Sequence, residues 1–153
     1  MNDVLDRTDM TWREKLAFLA HRFAPVTDMA VTDCPVKESF ENGEYVREIF
    51  IPAGTLFIGR PHKAGHRIVG LIGSVVFRTE NGPERFDAPF EMVTKPGSQV
   101  AAVALTDHIA RSYHPAPSED FKACEDAAFE PAESVFELGR LVDQRVKELA
   151  CPV

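Results

Sequence analysis

Cysteine is scarce in this sequence, and its three copies, Cys34, Cys124 and Cys151, are widely spaced. None of them belongs to a C-x-x-C pair, which argues against a zinc ribbon and against a thioredoxin-type redox pair. This pattern is typical of reduced, partly buried thiols in a reducing compartment. An intermolecular disulfide through Cys151, near the end of the chain, is the alternative.

Basic residues are also few, since 17 Lys and Arg stand against 24 Asp and Glu, for a formal net charge of −7. This balance argues against a nucleic-acid partner, because such binding depends on a basic surface that releases counterions. No apolar run approaches the roughly 20 residues of a membrane-spanning helix. The opening residues, MNDVLDRTDM, lack the cationic start and apolar stretch of a secretory signal. We therefore expect a soluble protein that is not secreted by a signal peptide and has no membrane span.

What the sequence does contain is enough apolar residues for one globular core: 44% of its 153 residues are hydrophobic and 27% are charged. The residue patterns divide the chain into three regions. These are an N-terminal arm with one amphipathic helix (1–44), a β-rich region (45–115) and a C-terminal helical extension (116–153).

The arm carries the signals of a helix start. Thr11 and Glu14 have the spacing of a capping box, in which each side chain satisfies a backbone amide of the other residue. One apolar stripe follows at helical spacing, and Pro25 is expected to end the helix. The stripe consists of Trp12, Leu16, Leu19 and Phe23. It predicts a helix that packs on its own domain, or one that contacts a neighbouring subunit.

The middle region consists of short apolar or alternating runs separated by turn residues, without helical periodicity between them. The expected strands are Tyr45–Pro52, Leu56–Ile58, Arg67–Ile72, Val75–Arg78, Arg85–Asp87, Phe90–Val93, Val100–Leu105 and Ile109–Tyr113. Asn81-Gly82 is a strong hairpin signal, because both residue types tolerate positive φ. Many short strands with no intervening helices predict an antiparallel sandwich or barrel.

The last region predicts a second amphipathic helix. Ser134 and Glu137 again have capping-box spacing, and apolar residues from Val135 to Leu149 follow at helical intervals. Gly139 is expected to weaken this helix by about 1 kcal/mol relative to Ala. Helical extensions at both ends of a β core often pack subunits together, so we expect a homo-oligomer.

The stretch from Gly54 to Gly73 resembles the first motif of the cupin superfamily, G-x5-H-x-H-x3-4-E-x6-G. Arg60 stands at the first His position, His62 at the second and His66 at the Glu position. The resemblance implies a mainly β protein, a cupin-type antiparallel jelly-roll barrel with helical extensions at both ends. The usual cupin metal site is not carried over intact, because two of these three ligand positions differ.

The second cupin motif, G-x5-P-x-G-x2-H-x3-N, is matched only in part. Lys95-Pro96-Gly97 matches P-x-G only in part, and Val100 stands at the His position and Ala104 at the Asn position. Of the four ligand positions in the family pattern, only His62 is kept in kind.

Residues 45–115 also resemble small cupin-like proteins encoded by tailed bacteriophages. The resemblance rests on Val46–Thr55, His62-Lys63, His66, Gly73, Ala88-Pro89, Pro96-Gly97 and His114-Pro115. A W-x-T-x-H pattern on a late strand of that family reads Ala110-Arg-Ser112-Tyr-His114 here. The resemblance implies a bacteriophage accessory or virion structural protein, in the host cytoplasm or the virion, with copies of itself or other virion proteins as partners.

Three histidines are the candidate metal ligands: His62, His66 and His114. Neutral imidazoles suit one divalent transition metal, namely Fe, Mn, Zn or Ni. The alternative is a polar pocket without metal. If Val100–Leu105 pairs with His108–His114 across Thr106-Asp107, His114 lies beside Gln99, and a shift of one residue in register would turn its side chain to the opposite face.

Arg60, Gln99 and Tyr113 are the candidate ligand-binding residues, with the planar guanidinium of Arg60 suited to a carboxylate or phosphate. Four other sets of polar side chains are expected at the surface. These are His21, His108, Glu119-Asp120 and Glu125-Asp126.

These residues support three functions. We favour a non-catalytic accessory or structural protein with a degenerate cupin pocket, assembling through its helical arms. The alternative is a metal-dependent cupin enzyme, a dioxygenase, isomerase or lyase acting on a small polar or anionic substrate. A sugar or small-anion binding module would use the same pocket without turnover. The catalytic residues are not identified by the sequence.

Overall fold

A computed structural model describes residues 2–27 and 34–150. The chain divides into two compact units, a helical unit (Met1–Asp33 with Pro131–Val153) and a β unit (Cys34–Glu130). Cys151 and its predicted intermolecular disulfide lie outside the described residues, while Cys34 and Cys124 are buried as expected. No helix in the described part of the chain is both long enough and apolar enough to cross a membrane.

The elements follow one another as a helical start, a run of strands and a helical end. The helices are α1 (Asn2–Leu5), α2 (Trp12–Thr27), α3 (Phe121–Ala128) and α4 (Ala132–Ala150). The strands are β1 (Val36–Glu41), β2 (Glu44–Ile51), β3 (Leu56–Ile58), β4 (Arg67–Ile72), β5 (Ser74–Thr79), β6 (Gly82–Asp87), β7 (Phe90–Val93), β8 (Ala101–Ala104) and β9 (His108–Pro115).

The strands form two antiparallel sheets. Sheet A has the order β1-β2-β9-β4-β7, and sheet B has the order β3-β8-β5-β6. Successive strands alternate between the sheets from β2 to β5 and again from β6 to β9, which is the double Greek key of a jelly roll. The predicted closed barrel is corrected: among the described residues no strand pair joins the two sheets, so they remain an open sandwich.

The core of the β unit lies between the two sheets. Val75, Phe77 and Ala102 of sheet B form a buried cluster. Phe90 and Met92 of sheet A pack against it. These residues alternate with outward-facing ones along their strands, as side chains of a half-buried sheet must.

The conditional pairing of β8 with β9 does not occur, because the turn between them carries the chain from sheet B to sheet A. The backbone N–H groups of Leu105 and Thr106 both donate to the carbonyl oxygen of Ser74. The Asp107 carboxylate accepts from the backbone N–H of Ala53 at 2.9 Å. The turn is therefore held at the start of β5, and β9 pairs instead with β2 and β4.

The first strand, β1, lies in a region that the sequence analysis assigned to the arm. Most of its side chains are exposed, so it lacks the apolar alternation that marked the other strands. It pairs with β2 through a tight hairpin in which Asn42 and Gly43 have φ of 50° and 78°. Positive φ at both central residues is typical of a type I′ turn, and Asn42-Gly43 was the available signal for it.

The helical unit has its own core, formed by Met10 and Phe18 with Val142 of α4. The predicted capping box at the start of α2 is confirmed, because Thr11 N donates to Glu14 Oε2 and Glu14 N donates to Thr11 Oγ1. The buried face is wider than the predicted stripe. It includes Leu16, Ala17, Phe18, Leu19 and Ala20.

Two predicted helix boundaries are wrong. Helix α2 continues past Pro25 to Thr27. Helix α4 begins at Ala132, so Ser134 lies inside its first turn, where its backbone N–H donates to Pro131 O. Glu137 consequently does not complete a capping box but accepts hydrogen bonds from Arg140 on the next turn.

Candidate functional site

Three histidines from separate parts of the β unit meet at one end of sheet A's inner face. His62 lies between β3 and β4, His66 directly precedes β4, and His114 is on β9. The ring centroids of His62 and His66 are 4.1 Å apart, and those of His66 and His114 are 4.3 Å apart. All three residues are less than 10% exposed. We call this set the histidine cluster.

The neighbouring loop after β7 fixes two of these histidines through the backbone. His62 N donates to Ser98 O, and Thr94 N donates to His66 O. The position of His114 follows from the register of β9, which pairs it with Tyr45. Tyr45 is fully buried beside it, with ring centroids 5.7 Å apart.

Each ring of the histidine cluster has one nitrogen within hydrogen-bond distance of a hydroxyl group. The distance is 2.9 Å from His62 Nδ1 to Ser98 Oγ, and 3.1 Å from His66 Nδ1 to Thr94 Oγ1. It is 2.8 Å from His114 Nε2 to Ser112 Oγ. Ser112 shares a face with His114 because it lies two residues earlier on the same strand. These hydroxyls fix the orientations of the three rings.

Burial keeps the histidine cluster neutral. It lowers the pKa of His62 to about 3, with a further contribution from His66 nearby. It lowers the pKa of His66 to about 4. Burial, followed by the charges of His66 and Arg47, lowers the pKa of His114 to about 3. A charged imidazolium loses hydration when it is buried, so the neutral form is favoured near pH 7.

A segment from the end of the β unit, residues 121–130, covers the histidine cluster. We call it the capping segment; it comprises α3 and the two residues that follow. The ring of Phe129 lies 5.4 Å from that of His62 and 5.1 Å from that of His114, centroid to centroid. The same ring is 6.2 Å from His66. Phe129 therefore contacts the whole cluster.

The backbone of the capping segment is anchored on both sides of Phe129. Lys63 N donates to Ala128 O, and Glu130 N donates to Pro61 O, each at 2.9 Å. Phe129 and His62 thus form an isolated antiparallel bridge. At the other end of the segment, Phe121 stacks on Phe40 of β1 with centroids 4.7 Å apart.

Two arginines surround the Phe129 ring. The guanidinium carbons of Arg47 and Arg60 lie 5.0 and 5.3 Å from its centroid, within the range of cation–π attraction. Arg60 Nε donates to Glu130 O at 2.9 Å, and Arg60 Nη1 donates to Glu125 Oε1 at 2.5 Å. Arg47 Nη1 is 3.8 Å from the same Glu125 oxygen. The expectation that Glu125 lies on a solvated face is wrong, because it pairs with both guanidinium groups.

The chemistry of the histidine cluster suits a transition metal in one respect and not in another. Neutral imidazoles are the form that binds metals. In residues 2–27 and 34–150, however, no three His, Cys, Asp or Glu side chains are arranged to hold one metal ion. The hydroxyls do not compete with a metal, because each engages only one nitrogen of its ring. It is the arrangement of the rings that does not fit a bound metal. The predicted metal-ligand roles of His62, His66 and His114 stay predictions.

The three predicted ligand-binding residues, Arg60, Gln99 and Tyr113, lie in three different surroundings. Arg60 lies beside the cluster, although its guanidinium already holds Glu125 and Glu130. Gln99 is buried and donates from Nε2 to Gly59 O at 2.9 Å. Tyr113 is on the face of β9 opposite His114, where the guanidinium of Arg67 stacks 4.0 Å from its ring centroid. The structure thus brings Arg60 to the histidines and leaves Tyr113 on the outer face.

Of the two other histidines, His108 differs from its expected solvated surroundings, whereas His21 was expected at the surface. His108 is 1% exposed, its Nδ1 lies 2.9 Å from Ile72 O, and its ring stacks on Phe90. Its position at the first residue of β9, not in a turn, explains the burial. His21 is partly exposed and lies 3.4 Å from Asp143 of α4.

Several residues around the histidine cluster were not predicted from the sequence. They are Arg47, Thr94, Ser98, Ser112, Glu125 and Phe129. Ser112 could have been found from its two-residue spacing to His114. No local pattern marks Phe129, because it reaches the cluster only through the return of the chain after β9.

This chain is similar to known proteins in its structure. No family model matches the chain, and no curated protein matches it. Similar solved structures include a cupin domain from Bordetella pertussis Tohama I, at 15% identity over 53% of this chain and 91% of that chain, with a TM-score of 0.43.

Two further similar structures are also cupins. The cupin domain of an XRE family transcriptional regulator from Enterobacter cloacae is 15% identical over 54% of this chain and 97% of that chain, with a TM-score of 0.46. A cupin superfamily protein from Desulfitobacterium hafniense DCB-2 is 6% identical over 55% of this chain and 78% of that chain, with a TM-score of 0.47. None of these three names refers to a bacteriophage. The jelly-roll assignment rests on the strand order given above.

Proposed function

We propose that this chain is a non-catalytic accessory or structural protein with a cupin-like jelly roll, in which the protein's own capping segment occupies the place of a substrate. One observation carries the proposal: Phe129 lies against all three histidines, while Glu125 holds Arg60. A catalytic site needs its reactive groups open to a substrate, whereas these groups contact one another. The bacteriophage part of the proposal, an accessory or virion role, rests on the sequence resemblance alone.

Assembly through the helical arms is the second part of this proposal. Along α4, Val135 and Val142 are buried, whereas Leu141 and Leu149 are 49% and 66% exposed. Residues eight apart differ by about 80° around a helix and about 12 Å along it, so these two leucines are separate exposed apolar side chains on adjoining sides of α4, with Arg145 between them. Burying both leucines against a second copy of the chain would be favourable.

One measurement, applied to the native chain and to two variants, tests assembly through α4. Light scattering coupled to gel filtration should give the mass of an oligomer. The double substitution Leu141→Glu with Leu149→Glu should shift it to the monomer, while the control Gln144→Glu on the same helix should not. A monomeric native chain, or an oligomer that survives the double substitution, would contradict assembly through these two leucines.

The metal-dependent enzyme remains the second candidate, because three neutral imidazoles lie close together. The ring centroids of His62 and His66 are 4.1 Å apart, and those of His66 and His114 are 4.3 Å apart. The hydroxyls engage one nitrogen of each ring, so a metal would use the other, Nε2 of His62 and His66 and Nδ1 of His114. For a metal to bind, these three nitrogens would have to move so that they surround one point. Metal content should be measured by mass spectrometry after supplementation with Fe, Mn, Zn and Ni, on protein purified without chelator. The accessory role predicts less than about 0.1 metal per chain. About one metal per chain, lost in His62→Ala, would favour the enzyme.

A further inference from the structure

The capping segment presents to the rest of the β unit a combination of groups that resembles a small ligand. Phe129 supplies an aromatic ring and Glu125 supplies a carboxylate. Both groups contact the same pair of guanidinium groups, those of Arg47 and Arg60. Because the two guanidiniums touch both, the ring and the carboxylate lie within the span of one small molecule.

The surface beneath the segment is chemically complementary to both groups. Neutral imidazoles offer their edges and faces to an aromatic ring, and none adds a positive charge near pH 7. A planar guanidinium binds a carboxylate in its fork and stacks on an aromatic ring. The side chain of Arg60 is only 12% exposed, so its charge would be costly to leave without an anionic partner.

The segment is held by polar anchors and by apolar contacts. Besides Glu125, the polar anchors include the backbone hydrogen bonds of Ala128 and Glu130 and a bond from Lys63 Nζ to Asp126 O at 2.7 Å. Besides Phe129, the apolar contacts include the stack of Phe121 on Phe40 and the buried Cys124. Hydrogen bonds contribute about 1 kcal/mol each, and a segment at the end of a folded unit can open locally at a lower free energy than global unfolding. The segment can therefore exchange with an external ligand that makes equivalent contacts.

We propose that the capping segment is a displaceable internal ligand, and that the site beneath it binds a small aryl carboxylate whose ring replaces Phe129 and whose carboxylate replaces Glu125 on Arg60 and Arg47. The site is specific for the anion, since it offers two guanidinium groups to the carboxylate. This inference is separate from the accessory role, because oligomer mass and metal content test that role and do not enter the experiment below.

The probe is 3-phenylpropanoate, titrated into the full chain by calorimetry, with its neutral amide as the control compound. Displacement by competition predicts that weakening the internal ligand strengthens binding of the probe. Glu125→Gln removes the competing charge at nearly constant volume and should lower the Kd about tenfold. Arg60→Gln removes the recipient of the carboxylate and should abolish binding. Arg47→Gln serves the same purpose if the Arg60 variant does not fold, and should raise the Kd.

Hydrogen exchange gives a second test. Binding in a cavity that leaves the capping segment in place would not speed the exchange of the amides that the segment protects. Saturation of the wild-type chain with the probe should speed exchange of the amides of Lys63 and Glu130, because the ligand displaces the segment that holds them. Equal binding of the neutral amide would overturn the proposal, as would weaker binding to Glu125→Gln. Unchanged exchange at Lys63 and Glu130 on saturation would also overturn it, as would a failure of the probe to bind both the wild type and Glu125→Gln.

Discussion

At the scale of single residues, Gly139 shows how the lack of a side chain permits a close helix contact. A Cβ at this position would collide with the carbonyl oxygen of Ala17 on α2 and lie 2.7 Å from His21 Cβ. From the sequence, Gly139 is expected only to weaken its helix. The structure adds that the glycine is needed where α4 meets the backbone of α2.

Gly139→Ala therefore has two opposite effects on the free energy of unfolding. Alanine gains about 1 kcal/mol in helix propensity, whereas overpacking against a backbone atom costs about 1–3 kcal/mol. We expect a net loss of up to about 2 kcal/mol in the free energy of unfolding, measured by urea denaturation. The control Gln144→Ala, at an exposed position on α4, should stay within about 0.5 kcal/mol. A Gly139→Ala variant more stable than the wild type would contradict the need for a glycine where α4 meets α2.

At the scale of elements, the pairing of α2 with α4 includes a buried carboxylate. The side chain of Asp143 is 6% exposed, with Arg22 Nη2 at 2.6 Å, Lys147 Nζ at 3.1 Å and His21 Nε2 at 3.4 Å. Burial raises the pKa of Asp143, but the hydrogen bond from Lys147 and the charges of Arg22 and Lys147 outweigh it and hold the pKa below its usual value.

Asp143→Asn keeps the volume and removes the charge that these cations face. We expect the free energy of unfolding to fall by about 1–3 kcal/mol at pH 7, because a buried charged hydrogen bond is lost. Lys147→Gln is the matched control. The Lys147 side chain is 67% exposed, and an exposed i,i+4 pair contributes only about 0.5 kcal/mol. Equal losses in both variants would contradict a special role for the buried carboxylate.

At the scale of the whole molecule, the buried histidines make stability depend on pH. The pKa values of His62 and His114 are lowered to about 3 and that of His66 to about 4. In the unfolded chain these groups titrate near 6.5. Below that pH the unfolded chain binds protons that the folded chain does not, so stability is greatest above pH 6.5 and falls as the pH is lowered toward 4.

The expected loss is about 1 kcal/mol per histidine when the pH falls from 7.5 to 5.5, measured by urea denaturation across that range. His114→Asn should make the dependence on pH shallower. The control Val75→Ala removes buried methyl groups without a titrating group, so it should lower stability at every pH and keep the slope. A flat profile between pH 7.5 and 5.5 in the wild type would contradict the burial of neutral histidines.

The course of the strands could be predicted from the sequence because each one carries its own local signal. Alternating apolar residues and turn residues located β3, β4 and β7 at their observed bounds, and Asn81-Gly82 correctly indicated the hairpin of β5 and β6. The capping box at Thr11 was equally local. β1 was missed because its exposed side chains give no alternation. These features depend on neighbours in the chain, which a sequence displays directly.

The composition and the local patterns thus determined a mainly β chain with helices at both ends, and they identified the three histidines. Only the tertiary structure decided that β8 and β9 lie in different sheets, that His114 points inward beside His66, and that Tyr113 points outward. It also decided that Phe129 and Glu125 cover the cluster. The physical reason is that such contacts join residues far apart in sequence, where packing and hydrogen bonding across the sandwich select one arrangement among several with the same local pattern.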